Sequence, residues 1–212
     1  MKCRFLFRLM LSLTVFSIVP LPILAQSEVY LTQRSQNQAQ LPANARLTQA
    51  QIRQLRSLGI RIVVPSYVPR GFRIASVRAE LQPSCPPRFR SQCTQYAIIY
   101  RNSANYCFAI ESVGDGIGDA VERENHITVD TRILGRTTLY YGRYQDPEMR
   151  QTFPESDLYM EWVGSGPFYR FTGAGLVRQT YYGERLSQPV AQCRHNISPQ
   201  EAAKVIRSFS FL

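Results

Sequence analysis

Hydrophobic and polar positions alternate over much of the middle of the chain, and this pattern predicts β-strands. The alternation is strong over residues 72–81, and the apolar runs 96–101 and 106–113 flank the turn Asn102-Ser103-Ala104-Asn105. A period of two is typical of a strand with one buried face, and Asn-rich turns favour hairpins. Two further hairpins are predicted, joining residues 128–134 to 137–144 across Gly135-Arg136 and residues 158–163 to 168–172 across GSGP. A short apolar run at residues 60–64 precedes them.

Helical periodicity occurs near residue 50 and again at the end of the sequence. Thr48 and Gln51 form a capping box, and the side chains that follow on one face are Ile52, Leu55 and Leu58. Ser198 and Glu201 form a second box, and the apolar face after it consists of Ala202, Val205, Ile206 and Phe209. The order predicts an α+β fold, in which an N-terminal and a C-terminal helix pack on a curved antiparallel β-sheet of about six to eight strands. Residues 173–192 fit neither pattern.

The first 25 residues have the three parts of a secretory signal peptide. Lys2, Arg4 and Arg8 precede the apolar run 9–19, and a cleavage site fits before Gln26. A retained membrane anchor is the alternative, but the run is shorter than the ~20 residues that a span requires. We therefore predict a signal peptide at residues 1–25, a flexible Gln/Asn-rich linker at 26–46 and a single domain at 47–212. The protein is expected to be exported, either periplasmic or secreted, with no transmembrane span after cleavage.

The net charge of the chain is +10, and loss of the three basic signal residues leaves +7. Nearly all of this charge is arginine, since Lys204 is the only lysine beyond the signal. A basic balance suits nucleic acid, anionic glycans or an anionic membrane surface. The arginines are scattered without a dense run, so we predict a solvated Arg-rich surface and no nucleic-acid partner.

Four cysteines follow the signal, and an even number in an exported chain favours disulfides. Four cysteines allow three pairings. We prefer Cys85–Cys93, which would close the loop CPPRFRSQC, and Cys107–Cys193, which would tie a central strand to the segment before the last helix. Zinc is the alternative because Cys193 and His195 form C-x-H, but no C-x-x-C accompanies them. No metal or cofactor is predicted.

Residues 111–120, ESVGDGIGDA, contain a glycine-rich loop after a predicted strand. The spacing of Gly114, Gly116 and Gly118 does not match a phosphate-binding loop, and Asp115 and Asp119 would repel phosphate. The two aspartates suit calcium, but the EF-hand spacing is missing. A turn is the simplest interpretation, and we keep the five residues as a candidate ligand loop.

Candidates for catalysis are few, and we predict no enzymatic activity. His126 lies beside Glu122 and Glu124, which would suit acid–base chemistry, although a surface position is the simpler reading. A glycan hydrolase needs two carboxylates, and the sequence offers Glu155, Asp157 and Glu161 beside aromatic residues. The competing interpretation is a strand with one face made of Leu158, Met160 and Trp162. Aromatic and arginine residues interleave in LYYGRYQ and FYRFTG, which suits either ligand stacking or a buried aromatic face.

Four segments carry a resemblance to a known family: VVPSYVPRGFRIASVRAEL, YAIIYRN, YMEWVGSGPFYRFTG and ISPQEAAKVIRSFSF. They resemble an uncharacterised extracytoplasmic bacterial domain found in proteins associated with anti-sigma factors, whose shape is similar to the RseB and LolA lipoprotein-binding domains. The matching positions are Pro65, Pro69, Gly71, Phe72, Trp162 and Ser208. The family pattern supplies no catalytic residues. This chain is expected to differ from it in having four cysteines after the signal and no transmembrane anchor.

The leading hypothesis is an exported, non-catalytic binding or interaction module of the bacterial envelope, for a lipid, a lipoprotein or a partner protein. The alternative is a small carboxylate-dependent hydrolase of envelope glycans, and a third is a purely structural envelope protein. Carboxylates converging in one cleft would favour the hydrolase, and a dry apolar groove under the helices would favour a lipid carrier.

Overall fold

A computed structural model of the chain describes residues 45–82, 84, 86–115, 121–182 and 191–212. The predicted signal peptide and nearly all of the predicted linker lie outside these residues. Within the described ranges, the α-helices are α1 Gln49–Arg56, α2 Pro147–Thr152, α3 Ala174–Tyr182 and α4 Pro199–Arg207, with a 3-10 helix at Pro87–Gln92. The strands are β1 Val63–Pro65, β2 Arg73–Leu81, β3 Thr94–Arg101, β4 Tyr106–Val113, β5 Arg123–Thr131, β6 Gly135–Tyr144, β7 Asp157–Met160, β8 Phe168–Gly173, β9 His195–Asn196 and β10 Phe209–Phe211.

Most strands belong to one open antiparallel sheet with the order β2-β3-β4-β8-β7-β6-β5. The chain runs through β2, β3 and β4 as one meander, and then through β5 to β8 as a second meander that ends beside β4. The short strand β9 joins β4 in parallel, and β1 pairs with β10 as a separate two-stranded ribbon. The predicted α+β class and its antiparallel sheet of about eight strands are confirmed.

The sheet buries side chains on both of its faces, because alternate residues of β3 and β4 enter two different clusters. Ile98 and Tyr100 join the larger cluster, which contains Leu55 of α1 and the buried residues of α4. Ala97 and Ile99 join the smaller cluster, which contains Ala174 and Val177 of α3 together with two cysteines. We call the face of the sheet that bears the larger cluster the first face, and the face that bears the smaller cluster the second face.

Aromatic packing centres the first face on Phe108. Its ring centroid lies 4.8 Å from that of Tyr100, 5.3 Å from Phe72 and 5.4 Å from Phe171. Three buried tyrosines of this face also hold the segment before β2. The Tyr96 hydroxyl accepts a hydrogen bond from the Val63 N–H at 2.8 Å, and the hydroxyls of Tyr100 and Tyr169 donate to the carbonyls of Ala45 and Arg61 at 2.9 and 2.8 Å. Ala45, at the end of the predicted linker, is therefore tied to the sheet.

The two predicted helix starts are confirmed by their caps. The Thr48 hydroxyl accepts from the Gln51 N–H and the Gln51 side chain accepts from the Thr48 N–H, which completes the capping box. The Ser198 hydroxyl accepts from the Glu201 N–H at 3.2 Å at the start of α4. The predicted turn between residues 101 and 106 is also found, where the Asn102 side chain accepts from the N–H groups of Ala104 and Tyr106.

Several predicted boundaries are wrong. The β5–β6 turn is at residues 132–134, because Gly135 already pairs with Thr131 as the first residue of β6. Helix α4 ends at Arg207, and Phe209 packs from strand β10. The run at residues 60–64 contributes only its last two residues to β1, and β7 ends at Met160. Helices α2 and α3 were not predicted.

Candidate functional site

A buried carboxylate pairs with an arginine on the second face of the sheet. Glu111 of β4 and Arg170 of β8 are direct partners across the two strands, and Arg170 Nε lies 2.7 Å from Glu111 Oε2. The Thr172 hydroxyl donates to Glu111 Oε1 at 3.1 Å. The Glu111 side chain is only 3% exposed, so both hydrogen bonds offset the free energy of removing its charge from water.

Trp162 completes this group by stacking on the arginine. The Arg170 guanidinium carbon lies 4.2 Å from the centroid of the Trp162 ring, within the range of a cation–π contact. Trp162 does not share a face with Leu158 and Met160 as predicted, because β7 ends at Met160 and the alternation breaks there. Val163 then pairs with Tyr169, whose side chain belongs to the first face, and this turns Trp162 to the second face.

A pair of stacked tyrosines extends the group toward β5. Tyr159 lies directly opposite both Thr172 of β8 and Tyr140 of β6, and the two tyrosine rings are 5.5 Å apart at an interplanar angle of 26°. The Tyr159 hydroxyl donates to the Val121 carbonyl, and burial raises the pKa of Tyr159 to about 12. We call Glu111, Arg170, Thr172, Trp162, Tyr159 and Tyr140 the aromatic–arginine surface.

Solvent reaches this surface mainly through its half-buried members. Trp162, Tyr140 and the neighbouring Glu161 are half-buried, whereas Tyr159 and Thr172 are buried. Tyr140 has a raised pKa, first because of its partial burial and second because of the negative charges of Glu161 and Glu122. The surface therefore offers two aromatic rings and one carboxylate to a ligand above a fixed charged base.

Arg123 adjoins the tyrosine pair and is itself almost fully buried. Its guanidinium carbon lies 3.3 Å from the Tyr144 ring centroid and 5.2 Å from that of Tyr159, and its side chain is 2% exposed. Arg123 Nη2 lies 3.7 Å from Asp157 Oδ2. Among the described residues, its Nε and Nη1 atoms have no hydrogen-bond partner, so ring faces and one carboxylate stabilise this charge.

The three carboxylates of the hydrolase hypothesis have different surroundings. Glu155 forms an ion pair with Arg178 of α3 at 2.6 Å. Asp157 Oδ1 accepts from the Leu158 N–H at 2.7 Å, and the carboxylate also accepts from the backbone of Leu176 in the first turn of α3. Burial raises the pKa of Asp157, although these hydrogen bonds and Arg123 act against the rise. Glu161 belongs to the rim of the aromatic–arginine surface.

The glycine-rich loop is described only at its start. Gly114 is buried, Asp115 is exposed, and Gly116, Gly118 and Asp119 lie outside the described residues. A cleft of about 550 Å³ lies at this end of the sheet, and its lining includes Gly114, Asp115, Glu80, Gln82, Gln92 and Gln95. The Gln95 amide donates to Glu80 at 2.6 Å, so the cleft wall is polar and acidic.

The predicted Cys107–Cys193 pair is bonded, with a Cα–Cα distance of 5.4 Å and both residues buried. Cys193 is therefore not available as a zinc thiolate, and the exposed His195 packs its ring 5.2 Å from Tyr106. Cys93 is disulfide-bonded, and its preferred partner Cys85 lies outside the described residues.

His126 is exposed on β5, with its ring 6.2 Å from that of Tyr140. No set of three or more His, Cys, Asp or Glu residues within the described ranges is arranged to hold a metal ion. The helices in this part of the chain are all too short or too polar to cross a membrane.

Glu111 and Thr172 were not singled out from the sequence, but a signal for Glu111 existed. A carboxylate within the apolar run CFAIESV needs a partner, because an unpaired buried charge is strongly unfavourable. An arginine between aromatic residues in FYRFTG is a natural partner for it.

No protein-family model, curated protein or solved structure matches the chain.

Proposed function

We propose that the protein is a non-catalytic binding module of the bacterial cell envelope that engages a partner protein through the aromatic–arginine surface. The observation that carries this proposal is the Trp162–Arg170 stack, fixed from below by Glu111 and continued by the Tyr140–Tyr159 pair. Trp, Tyr and Arg are the residues that most often contribute binding energy at protein interfaces.

Preorganisation supports binding at this surface. The buried carboxylate of Glu111 holds the Arg170 guanidinium in place. The same guanidinium stacks on the Trp162 ring. These side chains are ordered before a partner arrives, so association loses little of their conformational entropy. A surface of this kind binds by stacking and hydrogen bonding and needs no acid–base pair.

The surroundings of the carboxylates favour binding over hydrolysis. Glycoside hydrolysis requires two carboxyl groups flanking the scissile bond. Glu155 is engaged by Arg178, and Asp157 accepts hydrogen bonds from the start of α3. Glu161 alone of the three adjoins the half-buried rings of Trp162 and Tyr140.

Side-chain packing leads us to place the ligand on the second face. The first face beneath α1 and α4 is filled by fully buried side chains, among them Leu55, Phe108, Val205 and Ile206. A lipid or lipoprotein tail would need to displace them. The sequence resembles a domain whose shape is similar to the RseB and LolA lipoprotein-binding domains, so lipid carriage is the alternative function. The experiment below distinguishes lipid carriage from binding of a partner protein.

Export is part of this proposal and has two supports. The N-terminal sequence has the pattern of a signal peptide, and the buried Cys107–Cys193 disulfide is typical of proteins that fold in oxidising compartments.

Photocrosslinking in living cells tests the proposal. A photoreactive phenylalanine analogue is placed at Tyr140, and at the exposed Phe89 as a matched control position. We expect a protein adduct from position 140 that disappears when Trp162→Ala is added, and no such adduct from position 89. Adducts from position 140 that persist when Trp162→Ala is added would contradict the proposal. If photocrosslinking gives no protein adduct and the native mass spectrum of the purified protein shows a bound molecule with the mass of a lipid, lipid carriage would replace partner binding as the proposed function.

A further inference from the structure

Five arginines lie at one end of the sheet, where β2 begins and β3 ends. They are Arg46, Arg70, Arg73, Arg101 and Arg194, and we call them the arginine end. Arg73 and Arg101 are direct partners across β2 and β3, so their side chains leave the sheet on the same face.

Backbone contacts place the other members near this pair. Arg46 donates through Nη1 to the carbonyl of Phe72, the residue before β2. Arg70 lies in the tight turn that leads into β2, closed by the Phe72 N–H and the Pro69 carbonyl at 3.2 Å. The Arg194 N–H donates to the Asn105 carbonyl at 3.0 Å, and Arg101 Nη1 reaches the side chain of the same Asn105 at 3.3 Å.

None of these five arginines has a carboxylate partner among the described residues, in contrast to four arginines on other parts of the chain. Arg78, Arg136, Arg150 and Arg178 each form an ion pair with a glutamate or aspartate. Arg101 instead bonds to the amide groups of Asn105 and Gln192, and the other four members of the arginine end are exposed. Like charges directly opposite on neighbouring strands are destabilising. An uncompensated cluster of this kind fits a partner that carries several negative charges.

The neighbouring exposed aromatic residue indicates what kind of anionic partner fits. Tyr106 is 40% exposed and pairs with His195, the residue after Arg194. Tyrosine is enriched where an apolar and an aqueous phase meet, and arginine side chains place an apolar stem below a charged head. Guanidinium groups on four separate chain segments also match a surface that presents many phosphates side by side.

We propose that the arginine end docks the protein on an anionic phospholipid membrane surface. Its residues are distinct from the aromatic–arginine surface, so this docking does not depend on the proposed function. Each basic residue near an anionic bilayer contributes about a fivefold increase in binding, and the attraction is screened by salt.

Vesicle sedimentation with the purified full chain tests this docking. Phosphatidylcholine vesicles with and without phosphatidylglycerol are compared, using a variant that combines Arg70→Gln, Arg73→Gln and Arg194→Gln. These three side chains are exposed, and none takes part in an ion pair of the described residues. The control combines Arg132→Gln, Arg143→Gln and Arg207→Gln, which removes the same charge from exposed positions elsewhere. Residues 1–44 are the same in every variant, so their contribution cancels.

We expect binding to phosphatidylglycerol vesicles to weaken about 100-fold in the first variant and no more than about threefold in the control. Equal losses in both variants would show a net-charge effect and overturn the proposal. Wild-type binding that is no stronger with phosphatidylglycerol than without it would also overturn it. If soluble heparin binds with the same dependence on Arg70, Arg73 and Arg194 while vesicles do not bind, the partner is a soluble polyanion and the membrane proposal fails.

Discussion

At the scale of single residues, Asp157 has a raised pKa, and its carboxylate binds the backbone at the start of α3. Its carboxylate accepts hydrogen bonds from the backbone at the start of α3 and lies near the buried Arg123. A carboxyl group with perturbed protonation is often read as a catalytic acid. Here the surrounding contacts explain the perturbation, because loss of hydration outweighs the hydrogen bonds and the nearby positive charge.

The raised pKa of Asp157 predicts a pH-dependent contribution to stability. The folded state holds this proton more tightly than the unfolded state, where the pKa is near 3.8. The stabilising contribution is therefore complete below that pKa and is lost as the pH rises through the folded-state value. Asp157→Asn keeps the acceptor oxygen without the titration. We expect the free energy of unfolding of the variant to rise relative to wild type between about pH 3 and pH 6.

Urea unfolding across this pH range measures the difference. A difference that stays constant with pH would mean that Arg123 and the hydrogen bonds balance the effect of burial, and one that moves in favour of the wild type would mean that they outweigh it; either result contradicts the prediction.

A side chain added at Gly114, in the lining of the polar cleft, is expected to collide with the backbone. A Cβ atom built there would lie 2.0 Å from the carbonyl oxygen of Gln92, a backbone atom with little freedom to move. Gly135 has a φ of +75° but open space around it. We expect Gly114→Ala to lower the free energy of unfolding by about 2–3 kcal/mol and Gly135→Ala by about 1 kcal/mol. Chemical denaturation compares the two, and an equal cost would contradict the close contact with Gln92.

At the scale of elements, helix α3 shows where local sequence patterns stop being informative. The N-cap residues of α1 and α4, Thr48 and Ser198, directly precede the helices that they start, and both were predicted from the sequence. Helix α3 begins directly after β8, and the group that accepts from its first N–H is the Asn196 side chain at 2.6 Å. Because this cap comes from a residue distant in sequence, residues 173–192 carried no recognisable start signal.

The remote cap of α3 and the local cap of α4 can be separated by mutation. We expect Asn196→Ala to expose the amides of the first turn of α3 to hydrogen exchange while leaving α4 protected. Ser198→Ala should have the opposite effect, and each change should cost about 1 kcal/mol. Site-resolved hydrogen exchange is the measurement. If both variants loosened both helices equally, the caps would not act independently.

The aromatic–arginine surface illustrates a similar limit at the element scale. The sequence placed Trp162 beside acids and showed Arg170 between aromatic residues, which indicated stacking. It could not show that Trp162 faces Arg170, because this depends on the end of β7 at Met160 and on the pairing of Val163 with Tyr169. A period-two pattern predicts faces only while the strand remains regular.

At the scale of the whole molecule, the Cys107–Cys193 disulfide links the centre of the sheet to the segment that leads into β9 and α4. It joins residues 86 positions apart and packs with α3 in the smaller hydrophobic cluster. Closing a loop of that length restricts the unfolded chain, with an entropic contribution of about 4–5 kcal/mol.

Removal of this disulfide is expected to lower stability by about 2–5 kcal/mol. The test is thermal and urea unfolding of the variant that combines Cys107→Ala with Cys193→Ala, with the exposed Ser103→Ala as a control substitution in a nearby turn. A change below about 1 kcal/mol would mean that native packing alone fixes the segment before α4.

The ribbon formed by β1 and β10 has a consequence for the order in which the protein acquires its structure. Val64 pairs with Ser210, and Ser66 bonds to the Ser208 carbonyl through its side chain at 2.8 Å. During synthesis, β1 is made early but has no partner until β10 has left the ribosome. A chain threaded through a translocation channel would reach the far side with β1 still unpaired, so the ribbon and the packing of α4 form only after nearly the whole domain has crossed.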